Sequence, residues 1–282
     1  MTRLTPLLIG LLAGPFFLNA GVRNYVETDG MLAVEAEDFV AQSNDNIRRW
    51  YVTTPDTIAP DFPDPDDNHA HSASGETYIE ILPDNRTNHD EVLIRYVDDE
   101  NDANFSPVPG KMGVLSYPVY FNTAALYVFW ARAFSTGPED NGLHVGINGT
   151  WPESSSRMQL CPGKHQWTWS SAQRRDHNHC GDPRTVLLSV PNPGMHTIQL
   201  SMREDGFELD KFILTKDFNF TPEGDSIPAS IREEAMVESG QAFTEVRNFD
   251  YQLNATTNFF PVEDSMPYYF DKNNKCLPST LP

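Results

Sequence analysis

The stretch Ala125-Leu-Tyr-Val-Phe-Trp-Ala-Arg132, followed after Ser135-Thr-Gly-Pro138 by Gly142-Leu-His-Val-Gly-Ile147, decides the fold class. Both runs are short, rich in aromatic and β-branched residues, and bounded by turn formers, as strands are. The same pattern recurs on either side. Residues 32–39 alternate apolar with acidic side chains, and Tyr78-Ile-Glu-Ile-Leu82 is stopped by Pro83-Asp84. Residues 113–117 with 119–121, 166–170, 185–190, 196–202 and 207–215 complete the set. Short strands punctuated by Gly and Pro, with almost no helical period, predict an all-β chain folded as an antiparallel β-sandwich.

Composition agrees. The chain has 282 residues, 39% of them hydrophobic and 21% charged, enough apolar material for a sizeable core. Its 40 acidic against 20 basic residues give a net charge of -20. That balance opposes binding to nucleic acid or anionic membrane surfaces, which needs clustered Lys and Arg. It suits Ca²⁺, neutral ligands or cationic ones.

Residues 1–20 read as a signal peptide: Arg3, then an apolar run from Leu7 to Leu18 broken by Gly14-Pro15, then Asn19-Ala20. The mature chain is therefore expected to be secreted, periplasmic or at the cell surface. The predicted organisation is signal peptide 1–20, sandwich 21–217 and C-terminal extension 218–282. In the extension, Ser230-Ile-Arg-Glu233 has the form of a capping box opening one short helix to residue 238.

Export makes the three cysteines informative. Cys161 and Cys180 close a short ring, whereas Cys276 is left over, free or available to join two copies. A zinc site from Cys161, His177, His179 and Cys180 is the alternative, but its spacing fits no common structural zinc pattern.

Several segments in order resemble a known family. They are Val34-Glu-Ala-Glu-Asp-Phe39, the strand from Tyr127 to Arg132, Gly142-Leu-His-Val-Gly-Ile-Asn-Gly149, the Trp167/Trp169 strand, Pro193-Gly-Met-His-Thr-Ile198 and Asp205-Gly-Phe-Glu-Leu-Asp-Lys-Phe-Ile213. Together they are similar to carbohydrate-binding modules of families 6 and 35, and closest to the C-terminal domain-like module of glycoside hydrolase family 115. The resemblance covers residues 32–216. It implies a galactose-binding-like jelly roll, a sugar site in the loops, and a structural Ca²⁺ ligated at the positions of Glu35, Glu37 and Asp210. Carboxylate oxygens are the donors Ca²⁺ takes. Without the resemblance, Glu35 and Glu37 would read as the solvent face of an alternating strand.

A sugar ring packs its C–H face on an aromatic plane while its hydroxyls reach polar groups at the rim. The aromatic candidates are Trp50 and Tyr51 in the first long loop, Trp151 after the Asn148-Gly149 turn, and Trp167, with Glu208 as the polar partner. Two departures from the family pattern bear on this site. Glu208 stands where the family carries a sugar-binding asparagine, and Lys164-His165-Gln166 precedes Trp167 where the family tends to have Gly-Gly. A mixed-charge group, Glu139-Asp140-Asn141, Arg157, Arg174-Arg175 and Arg203-Glu204-Asp205, suits an anionic polysaccharide read by arginines, or loop braces.

The expected function is thus non-catalytic polysaccharide binding with a structural calcium. The alternatives are a glycoside hydrolase or lyase and a cell-surface adhesion protein. Asp205 with Glu208, or Glu139 with Asp140, would be the acid pairs of a hydrolase, and His69, His71, His177 and His179 the bases of a lyase. The chain has no Gly-x-Ser-x-Gly elbow, His-Glu-x-x-His zincin motif or phosphate loop.

Overall fold

The computed structural model describes residues 23–44, 47–57 and 63–234, with three short strands near the C-terminus. The expected signal peptide lies outside the described residues. Fourteen strands are β1 (Arg23–Val26), β2 (Met31–Glu35), β3 (Ala41–Ser43), β4 (Arg49–Thr53), β5 (Tyr78–Leu82), β6 (Val114–Phe121), β7 (Ala125–Phe134), β8 (Gly142–Ile147), β9 (Met158–Gln159), β10 (Thr168–Ser170), β11 (Leu187–Val190), β12 (Gly194–Met202), β13 (Glu208–Thr215) and β14 (Arg232–Glu234). Strands β15 (Phe259–Phe260), β16 (Tyr268–Phe270) and β17 (Cys276–Leu277) form a small sheet of their own.

Two sheets make the sandwich. One runs β14-β1-β6-β12-β8-β9 with β3 also on β6; the other runs β10-β7-β13-β5-β4, with β11 on β7 and β2 on β13. All pairings are antiparallel except β1 with β6, where Tyr25 lies opposite Val119 in a parallel contact. The period-2 rule divides each strand between core and outer face. In β8, Leu143, Val145 and Ile147 point into the core with Ile198 and Leu200 of β12, and they meet Ile79, Ile81, Leu209 and Phe212 from the facing sheet.

The second sheet also buries its outer face. Trp130, Val128, Ile213 and Ala33 form a cluster there, covered by Phe220 and Ile227. Trp169 joins it and donates from Nε1 to the Gly224 carbonyl at 2.9 Å. The first part of the C-terminal extension is therefore packed on the sandwich.

Three sequence expectations are corrected here. The helix expected from Ser230 is not formed where it was to begin: Arg232–Glu234 pairs with β1, and Ser230 Oγ accepts from the Ala33 amide at 2.9 Å. The edge of β1 competes for the same backbone groups that the helix would use, and residues 235–238 lie outside the described residues. The alternation read over 32–39 ends at Glu35, because residues Ala36–Asp38 turn as a 3-10 helix. Trp50 and Tyr51, expected in a loop, belong to strand β4.

Cys161 and Cys180 form a disulfide with their Cα atoms 5.5 Å apart, which removes the zinc alternative. Cys276 begins β17, and its side chain falls outside the described ones.

Candidate functional site

The strand period that sends Ile79, Ile81 and Leu209 into the core sends Glu80 and Glu208 to the outer face of the second sheet. Register then aligns one row across four strands: Tyr51 opposite Glu80, Glu80 opposite Glu208, and Glu208 opposite Phe134. Two glutamates sit side by side between two aromatic rings. The loop from 63 to 77 folds over this row through two one-turn 3-10 helices, Ala70–Ser72 and Ser74–Glu76. Its Ala70 and Ala73 pack on Tyr78 with Trp167.

The loop delivers polar groups to the glutamates. His69 stacks on Phe134, ring centroids 3.6 Å apart, with Nδ1 at 2.9 and 3.0 Å from the two oxygens of Glu208. Asp66 accepts from Thr136 Oγ1 at 3.0 Å. One oxygen each from Asp66, Glu80 and Glu208 lie within 4.8 Å of one another. Glu80 and Glu208 are 2% and 1% exposed, and Glu80 Oε1 has no hydrogen-bond partner among the described residues. Burial, reinforced by neighbouring carboxylates, pushes both glutamates well above the usual carboxylate range. Burial raises Asp66 to about 6 and lowers His69.

A second acidic group lies further along β13. Between Leu209 and Lys211 the strand bulges, and there it changes neighbour from β5 to β2. Asp210 at the bulge accepts from the guanidinium of Arg132 at 2.5 Å and from the Ser74 amide at 2.7 Å. Glu35 accepts from Ser74 Oγ at 3.2 Å and lies 3.3 Å from Lys211 Nζ. Glu35 Oε2 and Glu37 Oε2 are buried without a hydrogen-bond partner among the described residues, and burial lifts the Glu37 carboxyl to about 8. Buried carboxylate oxygens lacking donors are what a hard cation would satisfy, so Glu35 and Glu37 fit the calcium that the resemblance implies. Asp210 is already engaged by Arg132.

Of the aromatic candidates, Tyr51 and Trp167 come to the same face as Glu208. Trp167 meets Tyr78 and Phe134 edge-on, each with centroids 5.4 Å away, and Arg132 lies 5.6 Å from its ring centre. Its Nε1 donates to Ser72 Oγ at 3.1 Å. Trp151 is on the other sheet: a Cβ on Gly146, which points away from the core in β8, would come within 2.8 Å of its ring. Trp50 is corrected outright. It is 2% exposed in the inter-sheet core, and its Nε1 donates to the Gly113 carbonyl at 2.7 Å, so no sugar can stack on it.

The mixed-charge group is largely braced. Arg203 pairs with Glu204, Arg157 with Asp176, Arg86 with Glu139, and Asp140 accepts from Ser135, Thr136 and Gly137. Asp205 bonds Arg48 at 3.0 Å while Glu208 bonds His69, so the acid pair suggested for a hydrolase is divided between separate partners.

Glu80, Asp66, Tyr78 and Phe134 are site residues that sequence reasoning missed. One signal was available. Glu80 is a lone charge inside Tyr-Ile-Glu-Ile-Leu, a strand otherwise wholly apolar.

No family profile matches the chain. Over 198 residues it is 51% identical to a Formosa agariphila protein described as uncharacterized protein P23. That match takes in 70% of this chain and 46% of the relative, so the chain spans about half the length of the protein it matches. Among solved structures, a Paenibacillus xanthan lyase is similar at TM-score 0.36 and 13% identity, over 66% of this chain and 13% of that one. The Podospora anserina GH26-CBM35 β-(1,4)-mannanase is similar at TM-score 0.36 and 15% identity, over 70% and 29%. An exo-β-1,3-galactanase of Phanerochaete chrysosporium gives 0.30 and 13%, over 67% and 30%.

Proposed function

We propose that this chain is a secreted β-sandwich that binds a polysaccharide without cleaving it, on the outer face of its second sheet. The observation that carries this reading is the setting of Trp167. The ring is half-buried, its edge fixed by Tyr78 and Phe134 and its Nε1 by Ser72. A ring held this way loses little further freedom on stacking against a sugar. Partly exposed His69, stacked on the same Phe134, offers a hydrogen-bonding group for hydroxyls beside it.

The two glutamates oppose direct hydrolysis. They lie side by side in the ladder, but both are buried under the loop, where a glycosidic oxygen would not reach them. Secretion is supported by the N-terminal sequence and by the disulfide. A structural Ca²⁺ held by Glu35 and Glu37, with Asp210 lending a remaining lone pair, is part of the proposal. Such an ion would take the lone pairs of Glu35 Oε2 and Glu37 Oε2, which have no hydrogen-bond partner among the described residues. The proposal extends to an anionic glycan as ligand and to a dimer joined through Cys276.

The test is native electrophoresis through gels holding neutral, uronic or sulfated polysaccharides, followed by an assay for new reducing ends. Retardation lost in Trp167→Ala, with no new ends, is expected. New ends would replace this reading with a hydrolase, and no retardation in any gel would remove the glycan.

A further inference from the structure

Glu80 and Glu208 pose a problem that the protein's own side chains do not solve. They are adjacent in the ladder, on the same face, and almost wholly excluded from water. Like charges directly opposite each other repel, and burying a carboxylate without a partner is costly. No Lys or Arg pairs with Glu80, Glu208 or Asp66 among the described residues; the nearby cations are spent elsewhere, Arg132 on Asp210, Arg86 on Glu139 and Arg48 on Asp205. The one basic contact is His69 on Glu208. Loop residue Asp66 adds a third carboxylate to this pair rather than relieving it.

We infer that Asp66, Glu80 and Glu208 form a binding site for a hard divalent cation of the Ca²⁺ type, separate from Glu35 and Glu37. Two independent observations point there. One oxygen from each residue already lies within 4.8 Å of the others, so a single ion at 2.3–2.6 Å from each is within reach after small side-chain movements. In addition, Glu80 Oε1 is buried with no hydrogen-bond partner among the described residues. The donor set is all carboxylate, which favours Ca²⁺ or Mg²⁺ over zinc or copper. His69 faces Glu208 through Nδ1, an outer contact of the kind that orients a ligating group. Thr136 does the same for Asp66.

The consequence is mechanical. Glu80 and Glu208 belong to the sheet, whereas Asp66 belongs to the loop that covers it. An ion bound to all three fastens the 63–77 loop, and with it the Ser72 that holds Trp167, to the second sheet. The site stands whether or not a glycan binds at Trp167.

The experiment is calorimetric titration of chelator-treated full-length protein with Ca²⁺. Wild type is expected to bind an ion that Glu80→Gln/Glu208→Gln does not, while Glu35→Gln/Glu37→Gln retains it. Asp66→Asn, at a partly exposed loop position where the amide oxygen can still accept from Thr136, is expected to weaken that ion at least tenfold. If the Glu80/Glu208 variant fails to fold, Asp66→Asn decides alone. Unchanged stoichiometry and affinity in these variants, or a wild type with no ion that they remove, would overturn the site and leave the two glutamates sharing a proton. Loss of the ion with glycan retardation intact, or the reverse, separates this site from the sugar reading.

Discussion

Glu80 and Glu208 face each other across hydrogen-bonded strands β5 and β13, 2% and 1% exposed, without a Lys or Arg paired to either among the described residues. Without an ion, one of the two must hold a proton or the pair must strain the sheet. Replacing one with its neutral isostere removes that conflict. In chelator, Glu80→Gln is expected to raise Tm by roughly 2–4 °C, for relief of about 1 kcal/mol in a domain of this size. In saturating Ca²⁺ the order reverses, because the wild type then gains binding energy that the variant lacks. Scanning calorimetry in the two buffers measures both signs.

The tryptophans separate stability from binding. Trp50 fills the core, so Trp50→Ala should cost about 3–5 kcal/mol by denaturant titration. Trp167→Ala removes a half-buried ring on the outer face, with a smaller stability loss and a loss of glycan retardation. Trp151→Ala, on the opposite sheet, should leave retardation unchanged. If Trp151→Ala abolishes it while Trp167→Ala does not, the binding face is the wrong one.

Arg48 and Asp205 are both fully buried and 2.9 Å apart. The Asp205 oxygen that meets Arg48 also accepts from the Asn85 amide at 2.9 Å, at the turn that leads into β13. Arg48→Met strands a buried carboxylate, and a loss of about 3–5 kcal/mol is expected. Adding Asp205→Asn to it should recover part of that loss. A single Arg48→Met variant as stable as wild type would show that the pair holds nothing.

Glu37 sets a pH dependence. Its carboxyl is raised to about 8 in the folded chain by burial, above its unfolded value near 4.5. The native state thus keeps a proton that the unfolded state has released, and that contribution disappears as pH climbs through 8. In chelator, Tm should fall between pH 7 and pH 9, above the range where His69 and His144 titrate. Glu37→Gln should reduce the slope, and so should Ca²⁺, which prefers the ionised carboxylate; Asp205, which burial also raises to about 8, supplies the part of the fall that remains. A Tm rising over that interval would contradict the burial argument.

The Cys161–Cys180 bridge spans 19 residues of sequence. Its removal in Cys161→Ser/Cys180→Ser should cost about 3 kcal/mol, measured by urea denaturation under non-reducing conditions. An equal loss in wild type treated with reductant would tie the effect to the bridge.

Much of the sandwich was legible because strand alternation is a local property. Tyr78–Leu82 and Gly142–Ile147 were marked at their exact ends, and most of the other β strands within a few residues. The strands that local pattern does not reveal are short ones: β1, between β14 and β6, and the edge strands β3, β4 and β9 are weakly patterned and gain their strand character from the neighbours they pair with. The Ser230 signal failed for the same reason: its hydroxyl found a sheet edge instead of a helix terminus.

Residue order was enough for the all-β class and for the bridge between Cys161 and Cys180, since strand alternation and a short ring need only local spacing. Only the folded chain shows that Trp50 is core, that Trp151 and Trp167 lie on different sheets, and that Asp66, Glu80 and Glu208 converge. Those facts depend on register between distant strands and on how one loop folds over a sheet face, and neither is encoded in any short window of residues.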